Sequence, residues 1–86
     1  MIIEKKTWPE MFESILSGRK TFDARIADFA INEGDTLILR EYDPETKKYT
    51  GRTIEKKITF VLNSKDQKFW TKKDIDKSGL VIMGFK

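Results

Sequence analysis

The chain predicts an α+β domain that is mostly β, a small barrel of about five to six strands with one main helix near the N-terminus. Three observations predict it. Helical spacing of apolar residues occurs clearly once, between Trp8 and Leu16, whereas the other apolar runs are short and alternate with period two. Those runs are separated by Gly, Pro, Asn and Asp clusters of the kind that turn a chain. With 86 residues and no internal repeat, the chain reads as one domain, 1–86, with a modest core. Strands in so short a chain do best when the sheet closes and removes its edges.

Ile2 and Ile3 open a short strand. Thr7 and Glu10 have the spacing of a capping box around Trp8 and Pro9, and a helix follows. Trp8, Met11, Phe12, Ile15 and Leu16 fall on one helical face and read as core, while Gly18 suits the C-terminal cap. Ala27 to Asn32 reads as an irregular connection, and Glu33-Gly34-Asp35 as a turn. Thr36 to Tyr42 is then a strand, and Asp43 to Gly51 a hairpin loop containing Pro44. The longest strand follows. In a regular strand Ile54, Ile58, Phe60 and Leu62 share one face with Lys56, and Thr53, Glu55, Lys57, Thr59 and Val61 share the other. Asn63 to Gly79 is polar and lysine-rich, with Phe69 and Trp70 stapling it down. Leu80 to Phe85 is apolar on both faces and reads as an interior closing strand.

Composition excludes several chemistries. The chain has no Cys and no His, which removes disulfides, thiol metal sites, zinc sites, imidazole acid–base catalysis and the usual nucleophilic triads. No metal or cofactor is implied. No apolar run reaches membrane-spanning length and Met1 to Lys6 lacks a signal-peptide core, so the expectation is a soluble cytoplasmic protein, taken as a monomer.

Charge is unevenly spread. Residues 1 to 43 hold six basic against nine acidic side chains, a balance of −3, and residues 44 to 86 hold eleven against five, a balance of +6. A basic half suits phosphate binding, because neutralised phosphates release counterions. Lys65, Lys68, Lys72, Lys73 and Lys77 are nevertheless interleaved with Asp66, Asp74 and Asp76, as in a solvated loop.

The most informative segment is Gly18-Arg19-Lys20-Thr21-Phe22-Asp23-Ala24-Arg25, which sets three charges on a stretch that otherwise reads as a strand. Alternation puts Asp23 and Arg25 on one face, and Lys20, at the bend after Gly18, can turn toward them. Such a cluster can fix an anionic or hydrogen-bonding ligand through the Arg fork; a surface ion-pair ladder has the same pattern. This G-x-K-x-x-D-x-R stretch resembles the G-x-K-x-x-E-x-R signature of the ASCH superfamily of PUA-like domains. Trp8 to Gly18 resembles that family's helix, Glu33 to Leu37 its strand entry, and Tyr42 to Thr46, Tyr49 to Arg52 and Leu80 to Phe85 are similar to a compact bacterial and phage branch. Asp23 departs from the pattern by one methylene.

The resemblance implies a PUA-like pseudo-barrel with Lys20, Asp23 and Arg25 at the rim of a cleft that takes RNA or a modified nucleotide. The leading expectation is an RNA-binding or RNA-derived nucleotide-binding module. Lys20, Arg25 and Arg19 would meet phosphate or a base edge, Asp23 would orient them, and Tyr42, Tyr49 or Trp70 would stack on an unpaired base. Phe22, Phe60 and Phe85 read as packing residues. The alternative is a small amidohydrolase acting on an acylated or otherwise modified nucleoside, with Lys20 and Asp23 in the site. Against it, Asp23 favours a charged rather than a neutral Lys20, and no partner Glu stands out, although Glu41 and Glu55 are available. A third reading is a protein-interaction domain whose cleft is vestigial and whose motif serves folding.

Overall fold

The computed structural model describes residues 1–63 and 79–86, with the backbone alone considered at Leu80. The expected roles of Phe69, Trp70 and the Lys65 to Lys77 stretch lie outside the described residues. Strand β1 (Ile2–Thr7) leads into helix α1 (Pro9–Leu16), followed by β2 (Phe22–Ile26), β3 (Thr36–Asp43), β4 (Lys48–Asn63) and β5 (Leu80–Phe85). The architecture is α+β and mostly β, as the sequence predicts.

The five strands form one sheet in the order β1-β3-β4-β5-β2. β1 and β3 run parallel, which requires a crossover, and α1 with β2 supplies it. All other pairs are antiparallel. β4 is long enough to serve both halves of the sheet, pairing with β3 through Lys48 to Lys57 and with β5 through Ile58 to Asn63.

Among the described residues the sheet does not close, which corrects the expectation of a barrel sealed by pairing. β1 and β2 are both edges. They meet through a side chain, since Arg25 Nη2 on β2 donates to the Lys6 carbonyl on β1 at 3.5 Å. A closed barrel fills its own interior at about eight strands. Here α1 does the filling: Phe12 and Ile15 enter a core made with Leu37, Leu39, Ile54, Ile58, Val81, Met83 and Phe85.

Only those two helix residues are buried; Trp8, Met11 and Leu16, expected in the core, are exposed. At 100° per residue, Met11 and Leu16 sit about 70° to either side of the Phe12–Ile15 direction, too far round for an eight-residue helix touching one surface. Trp8 precedes the helix as its N-cap. No side chain caps it, so the expected Thr7–Glu10 box does not form. Thr7 is instead the last residue of β1, buried on the inner face. Gly18 closes the helix as expected, with φ +84° and its N–H on the Ile15 carbonyl at 3.1 Å.

Two irregularities redirect β4. The hairpin is tighter than expected, because Lys48 and Tyr49 already pair with Asp43 and Tyr42. Gly51, at φ +98°, lies inside the strand beside a register shift between Arg40 and Tyr42. A second shift between Ile58 and Phe60 reverses the side-chain alternation. Ile54 and Ile58 therefore point inward, whereas Phe60 and Leu62 point out, and Phe60 and Phe22, read from sequence as packing residues, stand exposed.

Candidate functional site

Among the described residues three groups of polar side chains carry chemistry, and the motif supplies the first. β2 alternates as expected, so Asp23 and Arg25 share the inner face. Arg25 Nε donates to Asp23 Oδ2, and Nη2 donates to Oδ1 at 3.3 Å. Asp23 is almost wholly buried and Arg25 is partly so. The fork is thus satisfied by the chain's own carboxylate and by the Lys6 carbonyl, and it ties one sheet edge to the other.

Lys20 does not join them. Its ammonium lies 3.4 Å from Met11 Sδ and 5.2 Å from the Phe22 ring centroid, on the outer side of β2. Asp23 and Lys20, which the hydrolase reading needs together, are therefore separated by the alternation of the strand. Arg19 is exposed and donates through Nε to Ser17 Oγ at 3.3 Å. A cleft of 630 Å³ lies between the Phe29–Glu33 connection and Val61, Asn63 and Val81; none of the motif residues lines it.

The second group was not singled out from sequence. Glu41 on β3 is buried beside three donors: Arg52 Nε at 2.9 Å, Arg52 Nη2 at 2.8 Å and Thr50 Oγ1 at 2.6 Å. The same Nη2 reaches Glu13 on α1, and the guanidinium lies 4.8 Å from the Phe12 ring centroid. Thr7, whose Cα pairs with that of Glu41, is buried with its hydroxyl unpartnered among the described residues. A Glu flanked by Arg40 and Tyr42 gives no hint of this in the sequence, because the Gly51 irregularity brings Arg52 opposite it.

Hydrogen bonds from Arg52 and then Thr50 hold the Glu41 carboxyl below its ordinary pKa of 4.5, against the opposing effect of burial. The folded state thus binds this proton less readily than the unfolded chain does. The stabilisation is fully present above the ordinary carboxylate range and is lost as the pH falls through the folded value. Melting temperature is expected to drop below about pH 4.5 and to drop less steeply in Glu41→Gln. Part of the slope remains, because the Asn32 N–H lowers the Asp35 pKa as well. Thermal melts across that range check this; equal slopes in the two proteins would overturn it.

The third group lies on the outer face at the β3–β4 hairpin and includes the predicted Tyr42. Tyr42 and Tyr49 meet edge to face with ring centroids 5.2 Å apart. Lys6 Nζ stands 4.3 Å from the Tyr42 centroid, and the Arg40 guanidinium 3.9 Å from that of Tyr49. The parallel register sets Lys6 beside Arg40, and the hairpin register sets Tyr42 opposite Tyr49. Glu4 and Glu55 occupy the next row away, so cations and rings concentrate at the hairpin end.

Residues 2–85, nearly the whole chain, match the family described as Domain of unknown function (DUF3850). The chain belongs to that family. A DUF3850 chain of this kind is also similar to an Escherichia phage P2 protein described as "Uncharacterized 12.9 kDa protein in GpA 3'region", with 37% identity over 65 residues. The aligned part covers 76% of this chain and 58% of the phage protein, so this DUF3850 chain spans less than two thirds of that relative. Among the described residues of this DUF3850 domain, no helix is long and apolar enough to cross a membrane.

Proposed function

We propose that this domain is an RNA-binding module of PUA-like (ASCH) type that holds an unpaired stretch on the outer face around Tyr42, Tyr49, Lys6 and Arg40. One observation carries the reading: two tyrosines in contact, each faced by a cation, on an open sheet surface. Aromatic rings and guanidinium planes on a sheet are what unpaired bases stack on, and the cations meet the phosphates between them. The chain alternates that place Tyr42 beside Arg40 thus supply both halves of the recognition. The ASCH likeness rests on the G-x-K-x-x-D-x-R motif that follows the helix. In this reading Asp23 and Arg25 act in the scaffold, and Arg19 and Lys20 are peripheral phosphate contacts.

Titrating fluorescent single-stranded RNA and its duplex at low and at physiological salt tests the proposal. Wild type is expected to prefer the single strand and to weaken with salt. Tyr49→Ala is expected to weaken binding about tenfold at either salt, as loss of one stacked base does. Arg40→Gln is expected to flatten the salt dependence. No binding by wild type at low salt, or equal binding by Tyr49→Ala, would sink the reading.

A further inference from the structure

We propose that Trp8 is a third stacking position of the same outer-face site and that it selects guanine. The proposal rests on the RNA reading above and names the base that reading leaves open. Trp8 follows the last paired residue of β1 with φ −67° and ψ 153°, still extended, so alternation carries its side chain outward with Lys6 and Glu4. Thr7 pairs with Glu41, and one further step of the same register sets Trp8 level with Tyr42, which pairs with Tyr49. The indole is 59% exposed. Three aromatic side chains thus lie in one row across β1, β3 and β4, on strands about 4.8 Å apart, where consecutive unpaired bases can stack.

The rows behind fix which way the strand lies. Lys6 and Arg40 form the next row, and Glu4 and Glu55 flank Ile38 in the one after, about 7 Å further along the strands. Both carboxylates are exposed, and neither has an ion-pair partner among the described residues. They repel a phosphate that strays past the cations, within a Debye length of about 8 Å, so the RNA backbone follows Lys6 and Arg40 and its bases fall on the aromatic row. At its Trp8 end this row meets a pocket of 330 Å³, bounded also by Pro9, Pro44, Glu10, Asp43 and Glu45. Among the described residues no cation lines it, so the pocket turns phosphates away and suits a base. The Glu45 N–H donates to Asp43 Oδ1 at 2.9 Å, whereas the carboxylates of Glu10 and Glu45 have no partner among the described residues. An ionised carboxylate only accepts. Guanine is the base whose Watson–Crick edge offers two adjacent N–H donors to one carboxylate; uracil offers a single ring N–H, and adenine and cytosine a single amino group.

Fluorescence titration of a uridine hexamer, and of the same strand with one internal guanosine, adenosine or cytidine, tests this with the full chain. Wild type is expected to bind the guanosine strand about tenfold more tightly than the other three. Trp8→Ala, at an exposed position, is expected to keep its circular dichroism, to weaken on the guanosine strand about tenfold or more and to lose the preference, whereas Trp8→Phe retains most of it. Glu10→Gln combined with Glu45→Gln is expected to erase the preference while the uridine hexamer binds as before. A uridine hexamer bound through Tyr49 with no gain from guanosine would overturn the guanine site and leave the RNA reading standing. So would a preference that survives in Trp8→Ala. Failure of every strand to bind at low salt would overturn both.

Discussion

Replacing Phe12 with alanine is expected to cost about 3–5 kcal/mol, the range for truncating a buried phenylalanine. Domains of this length have a total stability of roughly 4–13 kcal/mol, so the variant is expected to be partly unfolded at room temperature or to melt about 12–40 °C lower. Phe12 is only 1% exposed and is the main group by which α1 fills the gap between the open sheet edges. Its ring also underlies the Arg52 guanidinium, so the Glu41 network loses its floor in the same step. The neighbouring Met11→Ala, on the exposed side of the same helix, is expected to change stability by less than about 1 kcal/mol. Denaturant melts of the two variants separate the explanations. Equal losses would show that the helix acts through its backbone and that the sheet core stands without Phe12.

Asp23→Ala is the second large effect, expected at about 2–3 kcal/mol, or roughly 10–20 °C in melting temperature. Removing the carboxylate strips a half-buried guanidinium of its two-point partner and loosens the link from β2 to the Lys6 carbonyl on β1. Because the pair acts as a unit, Asp23→Ala combined with Arg25→Ala is expected to cost clearly less than the two single losses added together. Thermal melts of the three variants give the coupling. Independent, additive losses would mean that the motif does not join the sheet edges.

The strands of this protein were legible where a short apolar run lies beyond a turn signal, as in Thr36 to Tyr42 after Glu33-Gly34-Asp35, and Leu80 to Phe85, apolar on both faces, reads as the interior strand that it is. Alternation placed Asp23 with Arg25 correctly, since a five-residue strand leaves little room for error. It failed at β4, where one extra residue past Ile58 moved Phe60 and Leu62 to the opposite face. An irregularity of this kind is set by how two strands must twist to meet, and no residue type in Ile58-Thr59-Phe60 announces it. Helical spacing overstated the core for a different reason. A stripe of five apolar residues describes which side of α1 is apolar, whereas the width of the surface it rests on decides how many are covered. The Glu41–Arg52 pair was illegible because its partners are eleven residues apart across a hairpin whose register depends on Gly51. Tyr42 was singled out for its place near a turn; its pairing with Tyr49 and two cations needed the hairpin register as well.

The strand order has a consequence for how the chain is made. Among the described residues β2 pairs only with β5, so Phe22 must wait for Gly84 before its backbone finds this partner. At synthesis rates of about 5–20 residues per second, the early strand spends several seconds with no partner in existence. Its outward Phe22 and Ile26 make that nascent strand sticky throughout the interval. Distant pairings of this kind also slow folding, because the ends of a long loop must meet before any contact repays the lost freedom. A ribosome-bound chain halted before Leu80 therefore carries an apolar strand with nowhere to dock, and holding chaperones are expected to engage it until the final strand emerges.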